Sequence, residues 1–246
     1  MGKARRTRQS REQERRRERT RRLLIATGAA VVLVIALIAI QQLTSGGSSK
    51  PDPSNLAGVA DVQAEFDGLT QKAGTVGPAS AKVTIVEYGD LRCPVCKQFD
   101  NDVIPQVVTK LVRSGKAKLQ YKTWPILGPN SVTAAQAAFA ARQQNALWPY
   151  AALTYLNQGD ENDNWFTRAI ARSLAAGVGL DIARFDKDMA SSAATTAIAQ
   201  VSAEATKLGL PGTPSIRVAG PAGTTTVDAT YDAIAAAVQK AGGSAG

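Results

Sequence analysis

The amino-acid sequence predicts an α/β domain with an inserted helical subdomain, preceded by one N-terminal transmembrane helix. Three observations carry this. A short apolar run, Val83-Thr84-Ile85-Val86, leads into Cys93-Pro94-Val95-Cys96 and then into a helical pattern. The second strand-like stretch and the third are separated by residues 125–213, 89 residues of mostly alanine-rich helical pattern, where a parallel crossover needs about a dozen. Residues 23–40 hold no charge and follow an arginine-rich tail.

The first 22 residues contain eleven Lys or Arg against three Glu, a net +8 of the chain's +9. The remaining residues carry 18 basic and 17 acidic side chains, so the high pI belongs to the tail. A basic tail alone could bind nucleic acid. Directly before an apolar span, however, the positive-inside rule accounts for it, and no nucleic-acid partner is expected. As a helix at ~1.5 Å per residue, Leu23–Ile40 spans about 27 Å, enough for the bilayer's hydrocarbon core once Gln41–Leu43 are added. The run is too long for the apolar core of a signal peptide, and no small-x-small cleavage site follows it. The expectation is a basic cytoplasmic tail at 1–22, able to meet anionic headgroups, and an uncleaved single-pass helix at 23–43 in the lipid bilayer of the cell membrane. The C-terminal bulk is then extracytoplasmic.

Thr44–Asn55, TSGGSSKPDPSN, has no apolar periodicity and reads as a flexible linker. Residues 56–246 have the length and composition of one domain with a sizeable core. Lys82–Tyr88 reads as a buried strand, Asn101–Arg113 as helix and Ala117–Trp124 as a second, half-polar strand, together a βαβ unit. From about 130 to 208 the pattern is helical: SVTAAQAAFAARQQ, LWPYAALTYLNQ, WFTRAIARSLAAGV, IARFDKDM and a last run through SAEATKLG, punctuated by Gly159, Gly177, Gly179 and Gly209. Ser215–Ala219 and Thr224–Asp228 flank Gly220-Pro221-Ala222-Gly223 as a hairpin, and Tyr231–Lys240 closes the domain as a helix. There is no internal repeat. Gly209-Leu210-Pro211-Gly212 lacks the preceding strand that a nucleotide-binding turn needs.

Cys93 and Cys96 are the only cysteines, and the chain has no histidine. A disulfide between them closes too small a loop to staple a fold, because cross-link stabilisation grows with loop length. Zinc usually takes four ligands, which this pair does not supply, so no metal is expected. Strand, CxxC and helix in succession form the thioredoxin-type redox arrangement. A cysteine at a helix N-terminus has its thiolate stabilised by backbone N–H groups and the helix dipole, so Cys93 is expected to attack and Cys96 to resolve. A purely structural pair is the alternative. An oxidising compartment agrees with a domain that keeps no other thiol to mispair. Glu87 lies six residues before Cys93 in an apolar strand, where a carboxylate is costly without a partner or a task; a strand end facing solvent would also permit it.

VTIVEYGDLRCPVCKQF at 83–99, WPILGPNS at 124–131 and GLPGTPSIRV at 209–218 together resemble the DsbA-like branch of the thioredoxin superfamily, over roughly residues 70–242. The resemblance implies a thioredoxin-like fold with the helical insert at about 130–208, a redox-active Cys93–Cys96 disulfide, Pro94 and Val95 as the rest of the active-site motif, and no cofactor. It implies a cis Thr213–Pro214 bond packed beside the disulfide. Cis is least costly before proline, a strand-opening proline gives up one ladder donor, and the bared Thr213 backbone could pair with a substrate chain by strand addition. It also implies that Glu87 lies beneath the active site and assists proton transfer to and from Cys96. Val95 stands where the best-known oxidases have histidine, which removes one source of oxidising power. Residues at this place tune the potential, about 1.4 kcal/mol for each 30 mV.

The expected activity is that of a membrane-anchored thiol-disulfide oxidoreductase that donates disulfides to exported cysteine-containing proteins. A quinone-linked membrane protein, DsbB-like or vitamin-K-epoxide-reductase-like, would reoxidise it. A reductase or isomerase of the same fold is one alternative, and a tethered binding or chaperone module whose disulfide does not turn over is another. Isomerases of this superfamily usually add a dimerisation module, for which Leu56–Ala81 is too short. Copper delivery would want a histidine beside the two thiolates.

Overall fold

The computed structural model describes residues 52–242. The basic tail, the apolar run at 23–43 and most of the linker lie outside the described residues. Among the described residues no helix is long and apolar enough to cross a membrane.

Six strands of the described residues form one sheet in the order β1-β2-β4-β3-β5-β6: β1 Gln71–Lys72, β2 Thr75–Val76, β3 Thr84–Gly89, β4 Lys118–Thr123, β5 Ser215–Gly220 and β6 Gly223–Val227. β3 and β4 pair in parallel, Glu87 opposite Tyr121, while β5 runs antiparallel to β3 with Ile216 opposite Glu87. β3 is buried from Ile85 to Gly89 because helices cover both faces of the sheet. Side chains alternate along a strand, so Val86 and Tyr88 meet Ala205 and Val201 on one face. Ile85, Glu87 and Gly89 take the other.

The α-helices among the described residues are α1 Val59–Phe66, α2 Pro94–Asp102, α3 Ile104–Val107, α4 Pro129–Gln143, α5 Leu147–Leu156, α6 Arg168–Gly177, α7 Ile182–Met189, α8 Ser192–Lys207 and α9 Tyr231–Lys240. α4 to α8 are the insert between β4 and β5. Thr167, Asp181 and Ser191 cap α6, α7 and α8, each accepting from the backbone N–H three residues on, as Ser, Thr and Asp do at helix starts. α4 buries Ala134, Ala135, Ala137, Ala138, Ala140 and Ala141; side chains this small let α7 and α8 approach closely. α5 is buried nearly along its whole length and packs beneath α2.

Three departures from the sequence reading have physical causes. The helix expected at 101–113 begins at Pro94 and breaks at Val103, because Pro105 has no N–H to donate and its ring opposes the preceding turn; the chain then continues through a π-helical turn at Val108–Val112. Residues 56–81, where the residue pattern predicts no element, hold α1 and the β1–β2 hairpin. Gly74 turns that hairpin at φ 83°, and its carbonyl accepts from Trp148 Nε1 at 3.1 Å and from Tyr121 N at 3.0 Å. Trp148 in turn meets the edge of Tyr121 at 5.6 Å and lies 6.4 Å from Phe66 of α1, so this segment is welded to the core.

Candidate active site

The site is built where β3 ends and α2 starts. Cys93 is extended (φ −76°, ψ 122°), forms the N-cap of α2, and its carbonyl accepts the Lys97 N–H at 3.0 Å. Pro94 follows at the first helical position, where a missing N–H costs nothing. Both cysteines are free thiols here, the reduced form of the pair whose disulfide the resemblance implies. They are unequal. Cys93 is 6 % exposed and Cys96 0 %, while Val95 between them is 57 % exposed.

The inequality extends to acidity. A hydrogen bond from the Cys96 thiol holds the Cys93 thiol down against the opposing effect of burial, helped by Thr213 and by the Cys96 and Val95 backbone N–H groups; its pKa falls to about 6. Burial above all pushes Cys96 far up, and the hydrogen bond it gives Cys93 and the charge of Glu87 add to this. At neutral pH Cys93 is a thiolate and Cys96 a thiol. The Thr213–Pro214 bond is cis. The Cys93 S–H donates to the Thr213 carbonyl at 3.5 Å; once Cys93 ionises, that carbonyl offers nothing, and the buried Thr213 hydroxyl, with no partner among the described residues, is the group able to donate.

Glu87 is 0 % exposed, which excludes the solvent-facing strand end that the sequence allowed. Neither carboxyl oxygen has a hydrogen-bond partner among the described residues. Burial, then the charges of Asp100 and Cys93, raise its pKa well above the ordinary carboxylate range. Gly89 makes room for it: a Cβ there would lie 2.8 Å from Glu87 Oε1 and closer still to the Tyr121 hydroxyl. Tyr121 and Tyr155 hydroxyls are 2.7 Å apart, and Tyr155 donates to the Asp90 carbonyl at 3.2 Å.

Sequence reasoning missed the frame around these residues. The buried Asp90 carboxylate accepts from Arg92 N at 2.9 Å and from Ile126 N and Leu127 N at 2.8 and 3.1 Å, fastening the loop after β4 beside the cysteines. Arg92 donates to the carbonyls of Glu161, Asp163 and Leu127 at 2.6, 2.7 and 3.4 Å. Gln158 donates to Leu91 O and Cys93 O at 3.0 and 3.2 Å. Asp90 and Arg92 stand inside the motif itself, and polar residues directly after a buried strand were the available signal. Gln158, 62 residues beyond Cys96, gave none.

Residues 70–240 match the family model described as Thioredoxin. The probable disulfide bond formation protein D of Bacillus cereus is 29 % identical over 150 residues, 59 % of this chain and 69 % of that protein. Among solved structures, oxidised BdbD from Bacillus subtilis superposes with a TM-score of 0.61 at 23 % identity, covering 68 % of this chain and 91 % of that one. A thioredoxin-like oxidoreductase from Silicibacter pomeroyi superposes at 0.58 with 29 % identity, covering 75 % and 98 %.

Proposed function

As the chain belongs to the thioredoxin family and is a DsbA-like thiol-disulfide oxidoreductase, we propose that it is anchored in the membrane by residues 23–43 and donates the Cys93–Cys96 disulfide to exported proteins. The observation that carries the direction is the placement of Cys93 at the N-cap of α2, against Thr213 and the Cys96 thiol, which holds its thiol pKa down. A stabilised thiolate favours the reduced form and leaves readily, and both make the disulfide oxidising. Thr213, Cys96 and the start of α2 supply that stabilisation without the histidine that Val95 replaces.

A substrate thiolate attacks Cys93 Sγ, the accessible member of the pair. The Cys93–Cys96 bond breaks, its electron pair goes to Cys96, and the new thiolate takes a proton from Glu87. A second substrate thiolate then attacks the substrate sulfur of the mixed disulfide and expels Cys93 as a thiolate. The substrate loses two electrons and the protein gains them. A quinone-linked membrane protein, DsbB-like or vitamin-K-epoxide-reductase-like, takes them in turn. The Thr213 backbone before Pro214 lies against Cys93 and is the edge on which an extended substrate pairs. Pro94 opens α2, and Val95 presents an apolar surface beside the reacting sulfur. An isomerase is disfavoured because residues 56–81 are spent on α1 and on a hairpin whose β2 pairs with β4.

Substituting Cys96→Ala in cells exporting cysteine-containing proteins tests this. Resolution is lost while attack remains, so adducts between exported proteins and Cys93 should accumulate and vanish on reduction. No reducible adduct, or adducts confined to cytoplasmic proteins, refutes the reading.

A further inference from the structure

Cys93 serves α2 as N-cap in one rotation of its backbone. A residue at that position is extended, and its side chain accepts from the N–H groups two and three places on, which here belong to Val95 and Cys96. Cys93 has the required conformation (φ −76°, ψ 122°), yet as a thiol it makes no cap bond; the sulfur takes those bonds up once it ionises. The peptide has to keep its angle while the charge on the sulfur comes and goes.

We propose that Gln158 is a positioning residue for the nucleophile: its side-chain amide grips two carbonyls of the turn into α2, aims the Cys93 sulfur at the helix start, and so places control of the disulfide's oxidising strength in the helical insert. The inference rests on the reading of Cys93 as the sulfur that leaves as a thiolate.

Gln158 follows the end of α5 and is buried. Its Nε2 donates to Leu91 O at 3.0 Å and to Cys93 O at 3.2 Å. Both partners are carbonyls, so the nitrogen of the amide faces them, and the place calls for a neutral group with two N–H donors. A hydroxyl would satisfy one carbonyl only, and an ammonium would bury a charge. Among the described residues the Leu91 carbonyl has no other donor. The Cys93 carbonyl shares Gln158 with the Lys97 N–H at 3.0 Å, the first bond of α2.

The grip is itself anchored. Gln158 N–H donates to Tyr155 O at 3.2 Å, and the Gln158 main-chain carbonyl accepts from Lys97 Nζ at 3.2 Å. Lys97 therefore holds Gln158, Gln158 holds Cys93, and Cys93 holds the Lys97 backbone. From the other side the Cys93 N–H donates to Asp90 O at 2.9 Å, a carbonyl that the Tyr155 hydroxyl also fixes, at 3.2 Å. With its N–H taken by Asp90 and its C=O by Gln158, Cys93 is fixed at both ends of the rotation that directs Sγ toward the Val95 and Cys96 N–H groups. The amide also turns the positive end of its dipole to Cys93, which favours the charged sulfur. Removing the two N–H groups loosens the cap and withdraws that dipole, and both changes weaken the thiolate.

The test titrates the Cys93 thiolate by ultraviolet absorbance in the reduced full-length chain, and equilibrates the pair with glutathione, two molecules of which reduce the disulfide and leave as one glutathione disulfide. Gln158→Met keeps the reach of the side chain without its donors. The acidity of Cys93, with its wild-type midpoint of about 6, should fall about tenfold, and the equilibrium constant for reduction by glutathione should fall by the same factor, about 30 mV. Gln158→Asn, which keeps both N–H groups one carbon short, should recover part of each. Phe185→Leu is the control: it opens a gap beside Tyr150, whose ring lies 5.7 Å away, and should lower stability while the Cys93 titration stays in place. A wild-type midpoint in Gln158→Met, or an equal displacement in Phe185→Leu, overturns the proposal. Should Gln158→Met fail to fold, the wild type decides: the Gln158 side-chain amide resonances should move with the Cys93 midpoint, and an amide blind to that titration overturns it. A wild-type disulfide that no thiol reduces would instead overturn the donor reading, with the Cys93 titrations still deciding the role of Gln158.

Discussion

Gly89→Ala places one methyl group at the narrowest point beneath the active site. The residue does not need glycine's backbone freedom, since it lies in β3 opposite Thr123 and its carbonyl accepts from Trp124 N at 2.8 Å. Space alone demands it. The added carbon would lie 2.8 Å from both Glu87 Oε1 and Tyr121 Cζ and closer still to the Tyr121 hydroxyl, well inside contact distance. Tyr121 cannot retreat, because Trp148 meets its ring edge-on at 5.6 Å and Tyr155 holds its hydroxyl at 2.7 Å. Forcing an extra methyl into such packing costs about 1–3 kcal/mol, and losing the Tyr121–Tyr155 hydrogen bond adds about 1 kcal/mol. For a domain of this size the sum lowers Tm by about 5–15 °C. Gly212→Ala is the control: no atom lies within 4 Å of its Cβ position and its φ is ordinary, so the change should be neutral or stabilise by about 0.4–1 kcal/mol. Thermal unfolding of the reduced protein reads both. A Gly89→Ala melting point within about 1 °C of wild type would refute the claim that the glycine exists to seat Glu87 against Tyr121.

Ultraviolet titration of the reduced protein should show one thiolate with a midpoint of about 6, lost in Cys93→Ser. Because that pKa is depressed on folding, its contribution to the stability of the reduced form is complete above the ordinary thiol range and disappears as pH falls through about 6; the gap in stability between reduced and oxidised protein should change in that window. Arg92→Met removes a buried guanidinium from three carbonyls and should cost about 2–4 kcal/mol, with faster proteolytic cleavage at 159–164 as the local readout.

The sequence reveals what repeats and what reacts. Tyr231–Lys240 and the hairpin around Pro221-Ala222 were readable to the residue or nearly so, because each has a local signature. The five helices of the insert were legible from alanine periodicity and glycine stops. The reacting pair was legible because two cysteines in a chain without others have few uses. α1 and β1–β2 were not, since a two-residue strand has no period to detect and exists only because β4 pairs with β2.

The chain is fastened before it reaches the sheet. Asp52 N–H donates to Ser173 Oγ at 3.0 Å, and Ala57 exchanges two hydrogen bonds with the Asn157 side chain, at 2.8 and 3.0 Å. Asn157 adjoins Gln158, which holds the carbonyls of Leu91 and Cys93. Residues 52–57 are therefore tied to the helical insert, a single residue from the strut that supports the nucleophile. A displacement of residues 52–57 is thus handed to the insert at Asn157, one residue from the side chain that grips the nucleophile's own carbonyl.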